Sequence, residues 1–147
     1  MALRWVGRAN LEALQELARR LGIGITDVAA LDHLSASEKP IGPAELAKRL
    51  GIRSASATAL VDRLEESGHL YRTANPADRR RIALTQTPLS GAKTMAALAP
   101  MLAEIEAAAQ RLTPSETEVV TRFLAEAAQA MRNYARGVDK PGAQSER

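Results

Sequence analysis

The run from Ala44 to Thr85, AELAKRLGIRSASATALVDRLEESGHLYRTANPADRRRIALT, constrains the fold more than any other part of the chain. From Pro43 to Leu50, Leu46 and Leu50 fall on one helical face, and Ala47 is small enough to let another helix cross closely. Gly51 turns the chain and Ile52 plugs the corner. A second helix follows from about Ser54 to Ser67, with Ala57, Leu60, Val61 and Leu64 as its buried stripe and Ser56, Thr58, Asp62 and Arg63 pointing elsewhere, and Gly68 closes it. Two strand-like runs, Leu70–Ala74 and Arg81–Thr85, flank Asn75-Pro76-Ala77-Asp78, which is turn chemistry, so a β-hairpin with arginines at its tip is expected. Two short strands are too small to stand alone and must lean on the helices.

The flanking segments read as helices. Leu3, Val6, Leu11, Leu14, Leu17 and Leu21 recur at mostly three- and four-residue steps, giving a first helix over Ala2–Leu21 closed by Gly22. Thr26 is the expected N-cap of a second helix carrying Val28, Leu31 and Leu34 and ending near Ser35 to Ser37. The link SASEKPIG then leads to Pro43, which suits a first helical position. After the hairpin, Thr87-Pro88 opens a long helix bearing Leu89, Met95, Leu98, Leu102, Ile105 and Leu112, in which Pro100 predicts a kink or break near Ala96 to Pro100. Thr113-Pro114-Ser115-Glu116 has the pattern of a capping box ahead of a last amphipathic helix with Val119, Val120, Phe123, Leu124, Ala127, Met131 and Tyr134. The polar tail over 137–147 is expected to fray. The order is four helices, a hairpin and two long helices, a mainly α chain with a small β-hairpin.

Composition narrows the function. The 147 residues suit one domain, and aromatics at 3% leave Ala and Leu to fill the interior. With no cysteine, a disulfide framework, a thiol nucleophile, a thiol redox switch and a Cys-built zinc site are all excluded, and a reducing cytoplasm suits the chain. No apolar run reaches the roughly 20 residues that cross a bilayer. The reading is a soluble cytoplasmic protein without a membrane partner. The net charge is only +3, but the pI near 9.7 makes the placement of the arginines informative, and they cluster mid-chain.

The helix pair around Gly51 has the geometry by which one helix enters the DNA major groove while its predecessor sets the angle; the blander reading is two packed helices of an α protein. Arg79, Arg80 and Arg81 repel one another and gain nothing from a core, which makes sense with a polyanion opposite; otherwise they are a solvated charge run. A hairpin tip is slender enough for the minor groove, where arginine senses the negative potential of narrow A/T-rich segments, and Asp78 can pair with a neighbouring arginine and hold it.

Asp78-Arg79-Arg80 with the following strand and Thr87 is similar to the D-x-R wing signature of the MarR-type winged-helix transcriptional regulators. Leu60-Val61-Asp62-Arg63-Leu64-Glu65 with Gly68 resembles the end of that family's recognition helix, and the likeness covers nearly the whole chain. It implies a winged helix-turn-helix with N- and C-terminal dimerisation helices (1–24 and 88–136) around a DNA-binding lobe (25–87). It further implies that Arg53, Ser54, Ser56, Thr58 and Arg63 of the helix, with Asp78, Arg79, Arg80 and Arg81 of the wing, form the DNA-binding set, Arg80 entering the minor groove. Ala59 stands where many members carry a basic residue, Arg53 where a small N-capping residue is frequent, and Gly91 lies one step later than the family's glycine.

The expected partners are double-stranded DNA, a second copy of the chain and an aromatic or phenolic small-molecule effector. The functional reading is a homodimeric repressor of a pseudo-palindromic operator; alternatives are a regulator without effector and a winged-helix module that contacts proteins instead. His33 and His69 lie far apart with no ligand pattern, so no metal or cofactor is expected, and Trp5 reads as core or dimer interface ahead of an effector contact. No Ser/His/Asp set, carboxylate pair or Gly-rich phosphate loop suggests an enzyme.

Overall fold

The computed structural model describes residues 1–135 and 137; the tail expectation over 137–147 lies outside these apart from Gly137. In chain order the elements are α1 (Ala2–Leu21), α2 (Ile25–Ser35), α3 (Pro43–Leu50), α4 (Ser54–Glu66), β1 (Leu70–Asn75), β2 (Asp78–Gln86), α5 (Pro88–Ala109) and α6 (Pro114–Ala135). They fall into two compact units, Met1–Pro100 and the residues from Met101 onward.

Local chemistry accounts for most of the boundaries. Gly22 ends α1 at φ 68° and Gly51 ends α3 at φ 65°, left-handed conformations that a side chain would strain. Pro43 occupies the first turn of α3, where its missing N–H costs nothing. One expectation is corrected at α2. The N-cap is Gly24 and not Thr26, because Asp27, three residues on, turns its Oδ2 back to accept the Gly24 N–H at 3.0 Å. A carboxylate there satisfies an orphan donor and lies against the positive end of the helix dipole, which a threonine hydroxyl at the second helical position cannot match.

The core of the first unit is built on α4. Leu60, Val61 and Leu64 pack with Ala30 and Leu31 of α2, Leu46 of α3, Ile41, Leu70 and Leu84, with Leu34, Leu50 and Ile52 around them. A second cluster joins Leu17 and Ala18 of α1 to Val28 of α2, with Ala97 and Leu98 of α5 alongside; Ile23 touches both clusters. The antiparallel hairpin pairs Leu70 with Gln86 through Ala74 with Ile82. It leans on the α2–α3 link through an isolated bridge, in which the Leu84 N–H donates to the Ile41 carbonyl at 2.8 Å.

In the second unit, α6 opens on the expected capping box: the Thr113 N–H donates to Glu116 Oε2 at 2.8 Å and the Glu116 N–H to Thr113 Oγ1 at 3.3 Å. The Thr113 N–H, and the Thr113 hydroxyl that also donates to Oε2 at 2.8 Å, hold the Glu116 carboxyl below the usual carboxylate range. No described residue of α6 is buried, and Val119, Phe123, Leu124 and Met131 are exposed. Of the kink or break expected near Pro100, the break is absent, since α5 continues as a helix to Ala109 with the proline inside it. A proline nitrogen donates no intrahelical bond, and the flanking Ala- and Leu-rich turns tolerate that loss.

The hairpin's seat is tight at one point. A Cβ on Gly42 would lie 2.8 Å from the backbone oxygen of Ile82, which no flexible side chain can relieve. Gly42→Ala is therefore expected to destabilise the first unit by about 1–3 kcal/mol, seen as a lower urea midpoint. An unchanged midpoint would show that β2 moves away freely.

Candidate nucleic-acid interface

Burial of Ala57, Leu60, Val61 and Leu64 leaves Ser54, Ala55, Ser56, Thr58, Ala59, Asp62 and Arg63 on the exposed face of α4. Arg53, immediately before the helix, is exposed and gives no side-chain cap bond. The Thr58 hydroxyl donates to the Ser54 carbonyl at 3.0 Å, so its one proton is already committed.

The charged residues of this helix are tied back to the protein. Arg63 donates through Nη2 to Oδ1 of Asp27 at 2.5 Å, and this bond raises the arginine's pKa further. Asp27 is 3% exposed and holds two bonds at once, to Arg63 and to the Gly24 N–H. Arg63, expected among the DNA contacts, is thus a strut between α4 and the start of α2. Arg72 on β1 reaches the other way: its Nη2 donates to Asp62 Oδ1 at 2.5 Å, its Nη1 pairs with Glu65, and its backbone N–H donates to Glu65 Oε1 at 3.1 Å. Its pKa is raised chiefly by the bond to Asp62. This arginine couples the hairpin to α4, and it was not among the expected site residues. A signal existed in Asp62 and Glu65, two acids three apart on one helix face.

The hairpin corrects the expected position of the arginines. Its turn is Pro76-Ala77, with Asn75 Oδ1 accepting the Ala77 N–H at 2.9 Å, and β2 already begins at Asp78. Asn75 pairs with Asp78 and Ala74 with Ile82, so Arg79, Arg80 and Arg81 have no cross-strand partner and form an outward bulge beside the turn. A bulge displaces side chains from the sheet plane and re-aims them. Asp78 organises it, accepting the Arg80 N–H at 3.1 Å through Oδ1 and pairing with Arg81 Nε at 3.3 Å through Oδ2. Among the described residues, Arg79 and Arg80 make no ion pair.

A separate cleft of about 470 Å³ lies among α1, the turn after α4 and the start of α5, lined in part by Arg20, His69, Ser90 and Lys93. Ser90, 2% exposed, meets His69 Nδ1 at 2.9 Å and accepts Gln86 Nε2 at 3.2 Å, so His69 is tied into a polar network at the foot of the hairpin. Among the described residues there is no group of three or more His, Cys, Asp or Glu placed to hold a metal ion.

Removal of the buried carboxylate is the sharpest check on the strut. Asp27→Ala is expected to cost roughly 1–3 kcal/mol of unfolding free energy, since it removes the partner of a solvent-accessible Arg63 and uncaps α2 together. Asp27→Asn, which keeps an acceptor, is expected to cost less. Equal and negligible effects of both substitutions in urea titrations would show that the pair contributes nothing.

Comparison with known proteins adds a common origin to this geometry. Residues 21–81 match the family model described as MarR family. Over 128 residues the chain is 32% identical to the uncharacterized HTH-type transcriptional regulator YcgE of Bacillus subtilis, covering 87% of this chain and 82% of that protein. It is similar to the crystal structure of a transcriptional regulator from Thermotoga maritima, at 28% identity and TM-score 0.60 over 90% of this chain and 95% of that one. It also shares its fold with a MepR variant of S. aureus bound to an oligodeoxyribonucleotide, at 21% identity and TM-score 0.58 over 88% and 95% of the two chains. With its winged helix-turn-helix architecture and a relative this similar over most of both sequences, the chain belongs to the MarR family of transcriptional regulators.

Proposed function

We propose that this regulator is a cytoplasmic homodimeric repressor that grips a pseudo-palindromic operator and is released by a small-molecule effector. The observation that carries the DNA contact is the arginine bulge: Arg79 and Arg80 project beside the turn with no carboxylate partner among the described residues, on a hairpin tied by Arg72 to α4. A cation cluster without internal partners gains most of its energy by displacing counterions from a phosphate backbone. In this reading Arg53, Ser54, Ser56 and Thr58 face the major groove, Arg80 enters the minor groove, and Arg63 and Asp78 orient their neighbours. The oligonucleotide bound to the MepR variant lends support at the level of the fold.

The dimer reading rests on apolar surface that a single chain leaves in water. Trp5, Val6 and Leu11 of α1, Ile105 of α5 and Val119, Phe123 and Met131 of α6 are all more than half exposed. Faces of this kind are covered most simply by a second copy, and a two-fold pair would set two recognition helices roughly 34 Å apart, one DNA turn. The cleft at Arg20, His69, Ser90 and Lys93 is large enough for an aromatic or phenolic molecule, which would act by shifting the population between two dimer geometries.

Affinity for duplex DNA across a salt series tests the central claim. A log-log slope of about −0.9 per phosphate neutralised is expected. Absent or salt-independent binding would point instead to a surface for protein contacts. Arg80→Ala is expected to weaken operator binding by about 1–3 kcal/mol; unchanged affinity would remove the wing from the interface. Light scattering is expected to give the mass of two chains at micromolar concentration, and a monomer mass would overturn the dimer.

A further inference from the structure

The exposed face of α4 has an unusual inventory once its bonds are counted. Three charges of its C-terminal half are engaged within the protein: Arg63 by Asp27, and Asp62 and Glu65 by Arg72. No lysine, asparagine or glutamine occurs between Ser54 and Glu66. Within the helix the side chains that recognise guanine through a bidentate arginine or lysine, or adenine through a bidentate amide, are therefore missing or held elsewhere, which leaves the exposed Arg53 just before its first turn to supply charge there. Thr58 has committed its proton to the Ser54 carbonyl. What the first two turns offer outward is the pair of hydroxyls of Ser54 and Ser56, which do not discriminate strongly among bases, and the bare methyls of Ala55 and Ala59.

Ala55 and Ala59 are four residues apart, so their methyls lie one above the other on the same helical face. The one base feature in the major groove that an alanine methyl reads is the 5-methyl group of thymine. Small side chains also permit the helix backbone to sit deeper in the groove than an arginine would. Asp62, one turn beyond Ala59, would repel nearby phosphates if free, but it is bonded to Arg72. We infer that this regulator selects its operator through thymine methyl groups packed against Ala55 and Ala59, with the hydroxyls and the wing arginines supplying position and charge. The inference rests on the DNA-binding reading above and names what that interface recognises. The same half-site would be A/T-rich on two counts, since the wing arginines favour the narrow minor groove of such sequences.

The test replaces thymine by uracil, which pairs identically and lacks only the 5-methyl. Duplexes selected by the full chain from a random pool are amplified with either thymidine or deoxyuridine triphosphate and titrated side by side. The unaltered protein is expected to bind the uracil duplex about fourfold more weakly for each contacted methyl lost. In a protein carrying Ala55→Gly and Ala59→Gly the ratio between the two duplexes is expected to fall toward one. Because the ratio is taken within each protein, any weakening of the helix by glycine cancels. Arg80→Ala is expected to weaken both duplexes alike, since thymine and uracil share a minor-groove edge. Equal binding of the two duplexes by the unaltered protein overturns the methyl readout, and an unchanged ratio in the glycine variant overturns its assignment to these alanines. Failure to bind the thymine duplex in a salt-dependent way overturns the DNA reading itself, and the methyl readout with it.

Discussion

Burial of the Ala57, Leu60, Val61 and Leu64 stripe determines which face of α4 remains in solvent, and nearly every other feature of the first unit follows from that choice. Each large aliphatic side chain removed from water contributes roughly 1.5–3 kcal/mol, so rotating the helix by one residue would forfeit more than any ion pair on its surface returns. The stripe meets α2, α3 and both strands in one cluster. The outward face is a consequence of that choice.

Two arginines then remove the remaining freedom. Arg63 anchors one side of α4 to the buried Asp27, and Arg72 anchors the other to β1. The half-buried position of these pairs places them between weak surface bridges and costly interior ones, with the buried Asp27 sharing its charge with the Gly24 N–H and Glu65 accepting a second bond from the Arg72 N–H. Helix and hairpin are held as one unit in consequence. A ligand that engages both would not have to order one against the other, which lowers the entropic cost of binding.

The second unit illustrates the opposite condition. Its helix has a well-made N-terminal cap and a regular apolar pattern, yet none of its described residues is buried. Capping and periodicity make a helix possible, but a short run of capping bonds contributes about 1 kcal/mol, and burial of an amphipathic face supplies most of the stability in proteins. The apolar residues of α6 are therefore unfinished business for a single chain. This asymmetry between the first unit, with its packed core, and an unburied helix is what gives the homodimer proposal its physical basis.

The elements were legible in the residues because their causes are local. Gly22 and Gly51 stop helices, Pro43 and Pro88 start them, and the period of Leu46, Leu50, Leu60 and Leu64 identifies inward faces within a few residues of chain. The same locality explains why Asp78 could be anticipated as the organiser of the arginines, two and three residues away. Expectations failed where the outcome depended on a competing partner. Asp27 displaced Thr26 from the cap, and Pro100 did not interrupt a helix that continues to Ala109. The partners that assign roles to the candidate site are distant, with Arg63 meeting Asp27 across 36 positions and Arg72 meeting Asp62 across 10. Sequence by itself determined the elements, their buried faces and the family signature of the wing, because those arise from propensity and period. Only the tertiary structure decided which charges on α4 are engaged within the protein, because an ion pair between remote residues exists only after the core has brought them together.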